Sequence, residues 1–310
     1  MGKFIFNRAL QAVPVVMGVL TISFMLMVVL PGDPVLSMIG ERYDENTVEL
    51  MRKKLNVDKS LIERMGIFMG DVLRGDLGHS IITGRSVTKE ILDKFPNTLI
   101  LAVAAMTVAV LIGVSLGMVA SLVPGSWIDK TIMVLALTGV SAPVFWTGLI
   151  FVLVFGVYLG WLPPTGYGGV EYLILPAFTL GLRSAAQITR LTRSAMMDTL
   201  SQDYIRTARS KELPWWKILL KHALPNSLIP VLTVIGTDFG SYLSGAVLTE
   251  SIFGWPGLGR LTLEAILKRD LPIVQGTVLF MALMFICVNL VVDILYGIID
   301  PRIRAERSNC

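Results

Sequence analysis

The chain has 310 residues, 54% of them hydrophobic and 16% charged, against roughly 25% charged in an ordinary soluble domain. That composition excludes a soluble fold of this size, which needs a larger polar shell, and points to a membrane solvent. The net charge of +4 does not indicate nucleic-acid binding, because the basic residues lie between apolar runs without interleaved aromatics; the positive-inside bias of membrane loops accounts for them. Cys287, Cys310, His79 and His222 are scattered, so neither a disulfide framework nor a metal-ligand spacing is present.

A spanning helix needs about 20 largely apolar residues. Ala9–Leu30 meets this, with Pro14 near one end; its apolar run is longer than a signal-peptide core and no small-x-small cleavage site follows. Residues 31–95 are polar and mixed in charge. Within them Asn46–Met69 has helical spacing (Val48, Met51, Leu55, Leu61, Met65, Phe68) and predicts a small extramembrane helical region. Five further spans are predicted: Thr98–Val123, Ile128–Leu159 with a bend at Pro143, Tyr172–Leu191, Leu228–Leu248 and Gln275–Ile299. Arg183 and Arg190 fall in the inner half of the fourth and are expected to snorkel, and Asp293 of the sixth is expected to be solvated at the interface.

The loops set the orientation. Arg183 to Lys221 carries eight basic residues against Asp198, Asp203 and Glu212, while Gly160–Glu171 carries no Lys or Arg. Six spans then place both termini and the 183–221 loop in the cytoplasm; the 31–95 region lies outside, since long loops translocate largely regardless of charge.

Catalysis finds no support. Gly254 to Leu261 is the nearest approach to a phosphate loop, but Arg260 and Leu261 stand where lysine and Ser/Thr are needed. The basic loop Asp203–Pro225 reads as short helices broken at Leu213-Pro214. It fits a docking element and, equally, a basic helix lying at lipid headgroups. On the fifth span Thr237, Asp238, Ser241, Tyr242, Ser244, Gly245 and Thr249 share about half the helix circumference, opposite Phe239, Leu243, Ala246 and Val247. Such a stripe must face protein or water. It fits the wall of a translocation path or helix packing through small residues; Asp238 favours the path, because a carboxylate inside a membrane is costly at about 3 kcal/mol.

The loop resembles the EAA loop of ATP-binding-cassette (ABC) importer permeases. Thr207-Ala208-Arg209 stand where that triplet would be, Lys211-Glu212-Leu213 where the subfamily has Lys-Gly-Leu, and His222-Ala223-Leu224-Pro225-Asn226 closes the loop as the family's does. Glu212 departs from the glycine, and Pro214 is the candidate to set the turn in its place. Pro31-Gly32-Asp33-Pro34, Gly160-Trp161-Leu162-Pro163-Pro164-Thr165-Gly166, Glu250 to Gly259, Arg269-Asp270-Leu271-Pro272 and Asp300-Pro301-Arg302 follow the pattern of the peptide/nickel permeases, so the whole chain resembles that family.

The resemblance implies an all-α, polytopic type I permease fold of six transmembrane helices. The implied divisions are 1–30 as cytoplasmic N-terminus and first helix, 31–95 as extracytoplasmic insert, 96–300 as permease core with its coupling loop at about 196–225, and 301–310 as cytoplasmic tail. It further implies a homologous second permease, two cytoplasmic ABC ATPases that bind the ATP and magnesium, and an extracytoplasmic substrate-binding protein. The implied cargo is short peptides, with nickel chelates and glutathione as related options. Tyr204, Thr207, Ala208, Ser210, Lys211, Glu212, Leu213 and Pro214 would form the ATPase-facing loop. Asp238, Ser241, Tyr242, Ser244 and Thr249 would line the path, and Glu250, Phe253, Pro256, Gly257 and Gly259 would form the outer motif. This chain itself is expected to carry no metal, cofactor or catalytic site. The alternative is an ion-gradient-driven secondary transporter, which calls for inverted repeats that the sequence does not show.

Overall fold

The computed structural model describes residues 2–29 and 59–299. Pro31-Gly32-Asp33-Pro34, the Asn46–Leu55 half of the predicted extramembrane helix and the 301–310 tail lie outside them. The described residues form α1 (Gly2–Val29), α2 (Leu61–Leu73), α3 (Val87–Leu122), α4 (Trp127–Ser141) and α5 (Val144–Phe151), the last continued by a π-helical stretch, Val152–Tyr158. There follow α6 (Glu171–Leu200), α7 (Asp203–Ser210), α8 (Trp215–Leu243, π-helical over Ile218–Ala223), α9 (Val247–Phe253), α10 (Leu258–Lys268) and α11 (Leu271–Ile299).

By length and composition α3, α8 and α11 suffice to cross a membrane, and α4 with α5 make a fourth crossing if the pair is one span. That pair bends by 104° at Ala142-Pro143, where proline supplies no N–H and the residue before it is extended. The apolar stretch of α1, Leu10–Met25, is shorter than a full crossing. Helix α6 has the length but not the apolar composition, because Arg183, Arg190, Arg193 and Asp198 interrupt it. It is an internal helix instead, packed against α3, α4, α5 and α8, so protein rather than lipid meets most of its surface.

Several predicted boundaries shift. Helix α3 begins at Val87, not Thr98, and runs through Pro96, so the 95/96 division falls inside a continuous helix. At 36 residues its rise of about 54 Å exceeds the bilayer. Helix α2 is fixed by a capping box, Ser60 accepting from Glu63 N while the Glu63 carboxylate accepts from Ser60 N.

The predicted fifth span ends five residues early. Gly245 turns the chain with φ 97°, a conformation glycine adopts without steric cost, and α9 starts in a new direction. Asp293 is not simply solvated: Arg8 of α1 pairs with it at 2.9 Å. A second tie joins the same helices, Gln275 Nε2 donating to the Ser23 carbonyl at 3.2 Å.

The central seam is α3 against α6. Ala105, Ala109, Gly113 and Gly117 recur every fourth residue along α3 and are buried. Gly113 meets Ile188 and Ala185, Gly117 meets Thr189 and Thr192, and Gly181 of α6 meets the backbone of Ala105. In a bilayer no hydrophobic difference drives helix on helix, so close backbone approach and van der Waals contact hold such a seam.

Candidate functional site

The loop between α6 and α8 begins with α7, whose first turn carries Asp203, favourable at the positive end of a helix dipole. Ile205 and Ala208, three residues apart, are its buried positions and pack with Met196, Ile218, Leu219 and Ala223. Ala208 therefore seats the helix on its own chain. It is not the outward contact that its place in the triplet implies, because the apolar positions of so short a helix fall on one face.

Tyr204, Thr207, Ser210, Lys211, Glu212 and Pro214 are exposed, and Leu213 is half-buried in the same cluster. Tyr204 Oη accepts from Asn226 Nδ2 at 3.0 Å, and the Arg209 guanidinium lies 5.1 Å from the Trp215 ring centroid, a cation–π distance.

Glu212 has φ 53°, the left-handed conformation. Its N–H donates to Arg209 O at 2.9 Å and that of Lys211 to Thr207 O at 3.2 Å, closing the helix. Pro214 does not replace the glycine. It opens α8 in extended conformation, while the turn still needs a positive φ two residues earlier. A non-glycine residue there costs about 1–2 kcal/mol. Glu212→Gly is therefore expected to keep the loop and raise the melting temperature of the purified complex. A lowered melting temperature would mean that Glu212 makes a contact with a partner.

A polar seam joins α6 and α8. Ser184 donates to the Asp238 carboxylate; its Oγ lies 2.5 Å from the Tyr242 hydroxyl, which also reaches Leu180 O at 3.1 Å. Sequence reasoning missed Ser184, because its partners lie 54 and 58 residues away and no local pattern signals such a pairing. Among the predicted path residues Ser241 is exposed and Asp238 half-buried, whereas Tyr242 is 7% exposed and serves packing. Ser244 donates to Gly240 O at 2.9 Å and caps the end of α8. Thr249 is separated from the stripe, buried in α9 beyond the Gly245 turn. Arg183 and Arg190 are exposed and neither pairs with Asp238 among the described residues.

At the far end of α8 the predicted outer motif forms a buried knot. Glu250 is fully buried and accepts from Thr98 Oγ1 at 2.8 Å and Arg260 N at 2.9 Å, while Leu258 N donates to Thr98 Oγ1 at 2.8 Å. Gly257 and Gly259 leave the space the carboxylate fills; a Cβ on either would meet it. Gly254 ends α9 in the left-handed conformation (φ 66°), the usual glycine helix stop.

Trp255 Nε1 donates to Asn97 O at 2.9 Å, Asn97 Nδ2 to Pro256 O at 3.0 Å, and Tyr167 Oη to Asn97 Oδ1 at 2.9 Å. Gly166 N donates to Phe253 O at 2.8 Å. Asp270, from the motif before α11, accepts from Ser80 Oγ at 2.5 Å and Ile81 N at 3.2 Å. Segments far apart in sequence thus meet at one end of the bundle.

The opposite end carries one strong tie. Arg193 of α6 forks onto Asp129 of α4, Nε to Oδ1 at 2.5 Å and Nη2 to Oδ2 at 2.7 Å. This bidentate geometry is the strong form of an ion pair. Gly125 N donates to the same carboxylate at 2.8 Å. Among the described residues no group of three or more His, Cys, Asp and Glu converges on a metal position.

The described residues form an apolar helical bundle with an internal polar helix, a basic loop at one end and a knot of long-range hydrogen bonds at the other. Residues 109–305 match the family model described as binding-protein-dependent transport system inner membrane component, and residues 1–102 match its N-terminal companion. The chain belongs to this family of multi-pass inner-membrane permeases of ABC importers, which work with ATPase and other partner components.

The di/tripeptide transport system permease protein of Pseudomonas aeruginosa is 42% identical over 99% of this chain and 100% of its own length. The glutathione transport system permease protein of Escherichia coli is 39% identical over 98% and 99%. A solved inward-facing methionine ABC transporter has the same fold over 68% of this chain and 96% of its own, with TM-score 0.57 and 15% identity. The secondary-transporter alternative finds no support in these likenesses.

Proposed function

We propose that this chain is one half of the pore of an importer for short peptides, glutathione among them. It works beside a homologous permease, two cytoplasmic ATPases that bind the ATP and magnesium, and an extracytoplasmic binding protein. The observation that carries the cargo class is near-full-length similarity to peptide and glutathione permeases. In this reading the chain crosses the membrane six times, α1 and α6 included, with both termini and α7 in the cytoplasm. Residues 31–95 form the outer insert, which takes in the first nine residues of α3. The exposed face of α7 and the Lys211–Pro214 turn meet an ATPase, and the exposed Thr237 and Ser241 with half-buried Asp238 line the path.

Physically, ATP binding closes the ATPases, α7 moves with them, and the outer end of the bundle opens to cargo held by the binding protein. The test is uptake by the assembled transporter in proteoliposomes. Dipeptides, tripeptides or glutathione should enter only with internal ATP and the binding protein, and Ser210→Cys should be labelled only from the ATPase side. Uptake driven by an ion gradient without ATP would overturn the reading.

A further inference from the structure

Helices α3, α4, α5 and α6 line a half-open cleft of about 390 Å³ beside the α4–α5 bend. Its lining is mostly apolar, with Ile112, Ala136 and Phe151 prominent; the hydroxyls of Thr138, Thr147 and Thr189 donate to their own helix backbones, which leaves the α6 residues Thr179 and Arg183. These two lie four residues apart on one helical face. The Thr179 side chain is 1% exposed and its hydroxyl has no hydrogen-bond partner. A buried hydroxyl left in that state is unfavourable unless something else binds it.

Arg183 is exposed to the cleft and makes no ion pair among the described residues. It stands twelve residues from Glu171 and seventeen from Leu200, about 18 and 25 Å of helix rise from the two ends. Arg193 already occupies the end nearer Leu200, paired with Asp129. In the six-crossing reading proposed above, about 18 Å of rise from Glu171 sets Arg183 inside a hydrocarbon layer of about 30 Å.

We propose that this cleft is a subsite for the carboxylate terminus of a short peptide. It rests on the peptide-importer reading above. A carboxylate accepts two parallel hydrogen bonds from a guanidinium, which Arg183 presents to the cleft, and a further one from a hydroxyl, which Thr179, buried and unpartnered, supplies once its side chain turns toward the cleft. The surrounding apolar wall suits the side chain of the terminal residue. Concave, mostly apolar sites with a few convergent polar groups and volumes from about 300 Å³ are the usual form of small-ligand sites.

The probe is alanyl-leucine, compared with its C-terminal amide, added to the purified full transporter without binding protein and followed by thermal shift. The free acid should raise the melting temperature saturably and the amide should not. Arg183→Gln should weaken the apparent affinity for the acid by tenfold or more, and Arg183→Lys should restore part of it. Thr179→Val, which keeps shape and burial, should weaken it several-fold and guards against poor folding of Arg183→Gln. Equal shifts from acid and amide, an unchanged affinity in Arg183→Gln or Thr179→Val, or no shift in the wild type would overturn the subsite. Import of peptide by the same wild-type complex reads the importer assignment separately: import without an acid-specific shift removes only the subsite, and absence of import removes both.

Discussion

Gly117→Leu is expected to abolish recovery of the folded transporter. A Cβ at this position would stand 2.6 Å from the Thr189 carbonyl oxygen and 2.6 Å from Thr192 Cβ, and the first of these is backbone that cannot rotate aside. One turn away, a Cβ on Gly113 would stand 2.6 Å from Ile188 and 2.9 Å from the Ala185 carbonyl; on the facing helix, one on Gly181 would stand 2.5 Å from the Ala105 carbonyl. With three contacts of this kind along the seam, relieving the clash means moving α3 and α6 apart.

Overpacking an ordinary core costs about 1–3 kcal/mol. Separating two helix backbones forfeits the van der Waals contact along the whole seam as well, and that contact is what holds helices together in lipid. Gly66→Leu is the matched control, since among the described residues nothing lies within 4 Å of a Cβ there. Size-exclusion profiles and melting temperatures should separate the two variants clearly. Normal yield and melting temperature for Gly117→Leu would show that the helices are not in backbone contact.

Glu250→Ala should be nearly as damaging, and Glu250→Gln much less so. Alanine removes the acceptors for Arg260 N–H and the Thr98 hydroxyl and leaves both buried. Each orphaned donor costs about 1–3 kcal/mol, and α9 loses its fixed relation to α3 and α10. Burial pushes the Glu250 carboxyl above its ordinary pKa, the direction of the neutral form, against the opposing pull of the Arg260 N–H, Thr98 and Gly259.

Glutamine imitates that form. Its carbonyl oxygen accepts from Arg260 N–H, and its amide can donate to Thr98 once the hydroxyl turns. Melting temperature and binding-protein-stimulated ATPase activity are the readouts. Alanine should lower both and glutamine neither by much. Equal loss in the two variants would mean that the negative charge, not the hydrogen-bonding shape, holds the knot.

The apolar runs carried most of the architecture, because a membrane imposes length and hydropathy on any crossing helix. Thr98–Val123 and Gln275–Ile299 were legible for that reason, although α3 begins eleven residues earlier, where its polar first turns leave the apolar slab, and α11 four residues earlier, at Leu271. Pro143 announced its bend through its missing N–H. The end of the fifth span was not legible: Ala246, Val247 and Leu248 continue the apolar run past Gly245, and only a positive φ stops the helix.

Nor was the burial of Glu250 readable, since its partner Thr98 lies 152 residues away and local pattern is silent about such pairings. The spacing Gly113-x-x-x-Gly117 is a helix-contact signature that the sequence reading left unused, and both glycines lie on the seam. In the loop, Ile205 and Ala208 stand three residues apart on one face of α7, but the sequence does not say whether that face meets this chain or another.

That face meets this chain, and the mechanical consequence is stiffness. Ile205 and Ala208 cement α7 to Met196 at the end of α6 and to Ile218, Leu219 and Ala223 at the start of α8. A compliant tether would store an applied displacement as bending and pass little of it on. A cemented tooth cannot bend, so a push on α7 is a push on the roots of α6 and α8 together. The load then runs up α6 into its contact with α3, where the glycines leave no slack to absorb it, and up α8 to the Gly245 turn, the first joint along that branch at which the motion can change direction.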